Sequence, residues 1–121
     1  MIFELNNTDY TKYLQDDTYN VVQVDIGDSW TDANYKKHAN HVYKVQGSFS
    51  MAFVNDSDYT QFLSDVESAK NNDGNVECNV FVINKNTTMN IECFMAINSK
   101  QFRPVNTTTI VNIIDVQINE A

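Results

Sequence analysis

The stretch WTDANYKKHANHVYKVQGSFSMAFVNDSDYTQFLSDVESAK, residues 30–70, decides the fold class. Its periodicity changes twice. Residues 30–41 are polar, show no apolar repeat, and hold both histidines together with Lys36 and Lys37, so they read as one long loop. From Val42 to Val54 the pattern turns to period two, with Tyr43, Val45, Gly47, Phe49, Met51 and Phe53 on one face of a long strand. Then Tyr59, Phe62, Leu63 and Val66 recur at i, i+3, i+4 and i+7, the apolar stripe of a helix. Asp56 or Ser57 is placed to cap its first free amides, and Asp58 puts negative charge at the positive pole. Lys70 suits the opposite pole, and the turn residues Asn71 to Gly74 stop the helix. The pattern predicts a helix over 56–70 and no second one.

On the N-terminal side, Ile2 to Leu5 reads as a short strand. NNTDYTKYL (6–14) reads as a turn entering an aromatic-anchored segment. Val22, Val24 and Ile26 alternate with Gln23 and Asp25, a strand that stops at Gly27-Asp28-Ser29. On the C-terminal side, VECNVFVI (76–83) and MNIECFMAI (89–97) make a hairpin about Lys85-Asn86. Pairing Asn84 with Thr87 sets Val82 opposite Met89, Val80 opposite Ile91, Cys78 opposite Cys93 and Val76 opposite Met95, all apolar on one face. A slip of one residue destroys that match. The other face carries Glu77, Asn79, Asn90 and Glu92, with Phe81 and Phe94 as apolar exceptions that cover the helix or form an assembly surface. SKQFRPVNTT (99–108) reads as a loop and IVNIIDVQI (110–118) as the closing strand, with a bulge or two-sided burial at Ile113-Ile114. The expected fold is mainly β (α+β), with about five or six antiparallel strands. It is an antiparallel β-sandwich or a partly closed barrel with one flanking α-helix.

A chain of 121 residues predicts a single domain over 1–121. Hydrophobic content of 42% with Gly 3 and Pro 1 fits a folded globule rather than a linker. A formal net charge of -8 argues against binding nucleic acid or an anionic membrane, since both need clustered cations. The start MIFELNNTDY has neither a basic nor an apolar leader region, and no apolar run approaches spanning length, which predicts a chain made in the cytoplasm. Without a leader, the Asn-x-Ser/Thr matches at Asn6, Asn55, Asn86 and Asn106 are chance.

Chemistry-bearing patterns are sparse. His38 and His41 stand three apart, but no third ligand type lies beside them, so a solvated basic loop is favoured over a metal site. Cys78 and Cys93 read as reduced, buried thiols packing as small hydrophobes. The acidic pairs Asp16-Asp17, Asp25-Asp28 and Asp56-Asp58 match no calcium loop, and the last is explained by helix capping. No phosphate loop or serine elbow occurs. The expectation is therefore no enzyme, no cofactor and no metal. Trp30, Asp32, Tyr35, Lys36, Lys37, His38, His41 and Tyr43 form the candidate assembly or binding loop, whose aromatics anchor it to the sheet or stack on sugars.

In order and content, NNTDYTKYL, VVQVDIGDSWTDANYKKHANHVYKVQGSFSMAF, DSDYTQFLSDV and NIIDVQINEA resemble the segments of a family of small tail structural proteins in phages and prophages of Firmicutes. The resemblance implies a non-catalytic virion structural protein, a ring-forming component of a long non-contractile tail. It also implies self-association, contact with other phage tail proteins, assembly in the bacterial host cytoplasm and a final place in the virion tail. The alternative is a monomeric carbohydrate- or peptide-binding module that uses the Trp30–Tyr43 region.

Overall fold

The long strand read from the period-two pattern lies near one end of an antiparallel sheet and carries much of its core. The computed structural model describes residues 1–104 and 110–121. Along the chain it runs β1 (Phe3–Leu5), β2 (Thr8–Asp9), β3 (Asn20–Asp25), β4 (Ser29–Thr31), β5 (Lys37–Ala39), β6 (Tyr43–Phe53), α1 (Asp56–Ala69), β7 (Val76–Val82), β8 (Thr87–Pro104) and β9 (Ile110–Glu120). Seven strands form one antiparallel sheet in the order β2-β1-β7-β8-β9-β6-β3, and β4 pairs with β5 separately. The sheet folds over so that β3 returns towards β7. Tyr19 O–H donates to the Phe81 carbonyl at 2.5 Å, and Gln23 exchanges two 2.8 Å hydrogen bonds with the Asn84 side chain. No ladder joins β3 to β7, so the layout is sandwich-like and not a closed barrel. The fold is mainly β with one α-helix among the described residues.

Burial follows the predicted face of β6: Val45, Phe49, Met51 and Phe53 are buried, while Tyr43 lies beyond the core at 54% exposure. The helix docks through Phe62 and Val66, with Phe62 edge-on to Tyr10 at 5.1 Å and tilted against Phe53 at 5.4 Å. Leu63 sits at its margin. The N-cap is Asn55, not Asp56 or Ser57: it keeps extended backbone (φ -114, ψ 123), and its side chain accepts from Ser57 N at 3.0 Å. The helix ends where Lys70 becomes extended, and Gly74 (φ 78) serves the following turn, donating to Asn71 O at 3.0 Å.

Four further readings are corrected. The β7–β8 register pairs Val82 with Thr87, Val80 with Met89, Cys78 with Ile91 and Val76 with Cys93, two residues from the expected one. A two-residue hairpin turn at Lys85-Asn86 needs positive φ at Lys85, whether of type I′ or II′. Only Asn86 has it (φ 49), and Ile83–Lys85 instead form a 3-10 turn, which lengthens the connection. The shift is even, so the apolar residues keep their face. Residues 99–104 of the expected loop belong to β8; the rest, 105–108, lie outside the described residues. The bulge falls opposite Ile113-Ile114: Ser99 pairs with Ile114 and Gln101 with Ile113, so Lys100 on β8 is the extra residue. On β3 the core residue is Val21, whereas Val22 and Val24 are half-buried and Ile26 is exposed.

Cys78 and Cys93 are thus diagonal neighbours, buried and free, with Sγ atoms 3.9 Å apart. The hydrogen bond to Cys93 and burial both push the Cys78 thiol up, keeping it protonated at neutral pH. We expect slow labelling of both cysteines by a thiol reagent in the native state and prompt labelling in denaturant. Prompt native labelling of both would contradict this packing.

The helix also buries Asp65, 4% exposed, against the first turn of the chain. Asn6 and Asn7 take left-handed backbone (φ 51 and 63) in a two-residue turn between β1 and β2, which asparagine tolerates. The turn presents Asn6 Nδ2 to Asp65 at 3.2 Å. Gln61 Nε2 adds a bond at 3.0 Å, and Tyr10 O–H donates to the second oxygen. Burial pushes this carboxyl up, but the three donors together hold it below its ordinary value.

Candidate functional site

The expected loop over 30–41 is a hairpin. Ser29 pairs with Ala39, Trp30 with His38 and Thr31 with Lys37. This ladder continues the register of β3 with β6, whose last pair is Asp25 with Tyr43. Between the two ladders Ile26 N donates to Val42 O and Asn40 N to Asp28 O, each at 2.8 Å. Residues 20–48 are therefore one unbroken hairpin whose distal part leaves the main sheet. At ~3.3 Å per residue, its tip stands about 20 Å beyond Asp25. Gly27 allows the two chains to approach here, because a Cβ at that position would meet Asn40 O at 1.6 Å.

Two aspartates hold the arm. At the base, Asp25 Oδ1 accepts from Gly27 N at 2.9 Å and Val42 N at 3.2 Å, while Oδ2 lies 2.6 Å from His41 Nδ1. At the tip, Asp32 Oδ1 accepts from Asn34 N at 2.8 Å and Lys36 N at 3.0 Å, while Oδ2 lies 2.7 Å from His38 Nε2. The histidine contact first, and the backbone amides after it, hold both carboxyls below the usual carboxylate range. Their contribution to the arm is therefore present above the ordinary carboxylate pKa and fades as pH falls through the lowered one. Trp30 stacks on His38 at 5.4 Å and 20°, and His41 on Tyr43 at 5.8 Å and 4°.

The tip turn runs Asp32-Ala33-Asn34-Tyr35. Tyr35 N donates to Asp32 O at 3.0 Å and Asp32 N to Lys36 O at 2.9 Å. This is a three-residue hairpin loop whose last position is left-handed, a place glycine fills most easily. Here it is Tyr35, with φ 62 and 91% of its surface exposed. Trp30, at 49% exposure, and Tyr43 complete an aromatic arm. The structure thus gathers Trp30, Asp32, Tyr35, Lys36, Lys37 and His38 on the distal hairpin and leaves His41 and Tyr43 at its base. The sequence does not mark Asp25 as the partner of His41; they stand sixteen positions apart, and only the hairpin register reveals the contact.

Among the described residues no three His, Cys, Asp or Glu side chains group to hold a metal ion. A cavity of ≈ 300 Å³ beside the first turn is lined by Glu4, Asn6, Glu77, Asn79 and Asn90 among others, and the amides of Asn6, Asn79 and Asn90 are engaged by neighbours. Asn79 donates to Glu4 at 2.9 Å and Asn90 to Asn79 at 2.9 Å. In a second cavity, Ser50 Oγ donates to Asp115 at 2.5 Å, with no histidine in the contact. No helix among the described residues is long and apolar enough to cross a membrane. Comparison with family models, curated proteins and solved structures finds no match to this chain.

Proposed function

We propose that this protein is a non-catalytic, self-assembling structural component of a phage or prophage tail, built into rings of a long non-contractile tail, with the distal hairpin as a contact surface. The observation that carries the reading is Tyr35. A left-handed backbone costs a non-glycine residue about 1–2 kcal/mol. Such strain at a fully exposed tip has no packing reason, and strained positions cluster where a partner is engaged. Exposed aromatics on a projecting arm are the side chains that dominate protein contacts. The resemblance of the element order, read from the sequence, to that of the tail family is the second support.

Sedimentation velocity and negative-stain microscopy over rising concentration test this reading. Rings or tubes are expected from the wild type. Tyr35→Gly relaxes the tip turn, so its melting temperature should equal or exceed that of the wild type, while assembly weakens by about tenfold or more. A chain that stays monomeric at every concentration, or a Tyr35→Gly variant that assembles normally, contradicts the proposal.

One observation favours a second reading as a carbohydrate-binding module. The half-exposed Trp30 ring is held flat on His38 beside the Asp32 carboxylate, a rigid plane with a hydrogen-bond acceptor at its rim. Glycan binding by a monomer, abolished in Trp30→Ala, would select it.

A further inference from the structure

The arm carries cations, and a cavity at the other end of the body carries carboxylates. The chain has 8 lysines and arginines against 16 acids, yet Lys36 and Lys37 stand together at the tip, both exposed. The carboxylate beside them, Asp32, is taken by His38 and two backbone amides. The ion pairs among the described residues include neither lysine. The tip therefore presents the exposed Tyr35 ring followed directly by two positive charges.

The cavity beside the first turn has the opposite character. Glu4 and Glu77 line it. Glu77 stands directly opposite Glu92 on β8, and like charges in facing positions repel. Asn79 donates to Glu4, and Asn71 and Asn75 donate to Glu92, but the ion pairs among the described residues leave out all three carboxylates. The last turn of α1 lines the same cavity through Ser68 and Ala69. That turn is the negative pole of the helix and holds no basic residue. Lys70, next in the chain, is held by Glu67 at 2.9 Å. The volume of ≈ 300 Å³ lies at the low end of the ~300–1,000 Å³ usual for ligand pockets, which suits one aromatic side chain. Asn7 and Ser68 on its wall are exposed and can serve a phenol hydroxyl.

The two surfaces cannot meet within one chain. β3 passes Phe81 at Tyr19 and Asn84 at Gln23, so its course, and the arm that continues it, runs away from Glu77. The length of β7 separates the root of the arm from the cavity. Only another copy can bring them together.

We propose that the arm of one copy docks in this cavity of the next: Tyr35 enters it, and Lys36 and Lys37 meet Glu77 and the facing Glu92 at its rim. The inference rests on the reading of the arm as an assembly surface, and it names what the arm meets. Cations placed there relieve the repulsion between Glu77 and Glu92 and complement the helix pole. An arm that stands about 20 Å clear of Asp25 enters without pressing the two bodies together. The contact joins two different surfaces head to tail. It closes into a ring where the rotation between copies allows, and otherwise continues as a tube or filament.

Charge reversal in the full chain tests it, with association followed by sedimentation velocity. The arm variant is Lys36→Glu/Lys37→Glu and the cavity variant is Glu77→Lys/Glu92→Lys. Each is expected to associate about tenfold or more weakly than the wild type. The cavity variant brings the net charge of -8 nearer to zero, so general repulsion alone would make it associate more strongly. Mixed together, the two variants should assemble again, because every arm then finds a cavity of opposite charge. Glu77→Lys alone removes the facing repulsion, so its melting temperature should equal or exceed that of the wild type while its association weakens. A wild type that is monomeric at every concentration overturns both this contact and the tail reading. A wild type that forms rings or tubes, with a cavity variant or a Glu77→Lys variant that assembles equally well, overturns the contact and leaves the tail reading standing. Two variants that each stay monomeric and do not assemble when mixed overturn the contact as well.

Discussion

Asp65→Ala is expected to destabilise the fold by about 3 kcal/mol, since it strands the donors of a buried carboxylate. Tyr10, 2% exposed, loses its acceptor inside an aromatic cluster with Phe3 and Phe62, where water does not reach it. Asn6 and Gln61 lose theirs at the cluster's edge. Urea titration measures the loss, read from midpoints at constant slope. The lowered pKa of Asp65 fixes the sign of the pH dependence. Its contribution is complete above the ordinary aspartate value near ~3.9 and is lost as pH falls through the folded one. The gap between wild type and variant should therefore shrink in acid. A loss well under 1 kcal/mol at neutral pH would show that Asp65 is not the anchor of the first turn.

Gly47→Ala is the second large effect, at about 3 kcal/mol. Gly47 lies on the inner face of β6, opposite Val21. A Cβ there would meet Asn20 O at 1.9 Å and Val21 Cα at 2.6 Å, both backbone atoms of β3. No side-chain rotation relieves such a clash, so β3 must move outward. Because β3 bears both Val21 and the Gln23 contact to Asn84, amide exchange should rise in β3 and in the 20–48 hairpin before it rises in β7 and β9. An alanine variant as stable as the wild type would show that β3 shifts freely over β6. One in which all strands loosen together would show that β3 is not a separable unit.

Much of this architecture was legible because burial imposes a period on the chain. The inner faces of β6 and β9 and the stripe of α1 follow from Val45 to Phe53, from Ile114 to Ile118, and from Phe62 and Val66. The helix start was legible to within one residue. The β7–β8 faces were legible and the register was not, because registers two residues apart present the same apolar set to the core. Only the conformation of Ile83–Asn86 separates them. The arm reads as a loop in the sequence for a related reason. Both of its faces are solvated, so its ladder leaves no apolar alternation, and its turn lacks the glycine that would announce it.

The sequence by itself determined the fold class, the helix after β6, the buried thiols and the absence of recognisable catalytic motifs, since each depends on local pattern or residue type. Tertiary structure alone decided the rest. It joined Asp25 to His41 and Asp65 to Asn6 and Tyr10, and raised Tyr35 on a projecting arm. These features depend on which strands end early and which backbones meet. Such distances are set by packing between segments far apart in the chain, and no local period records them.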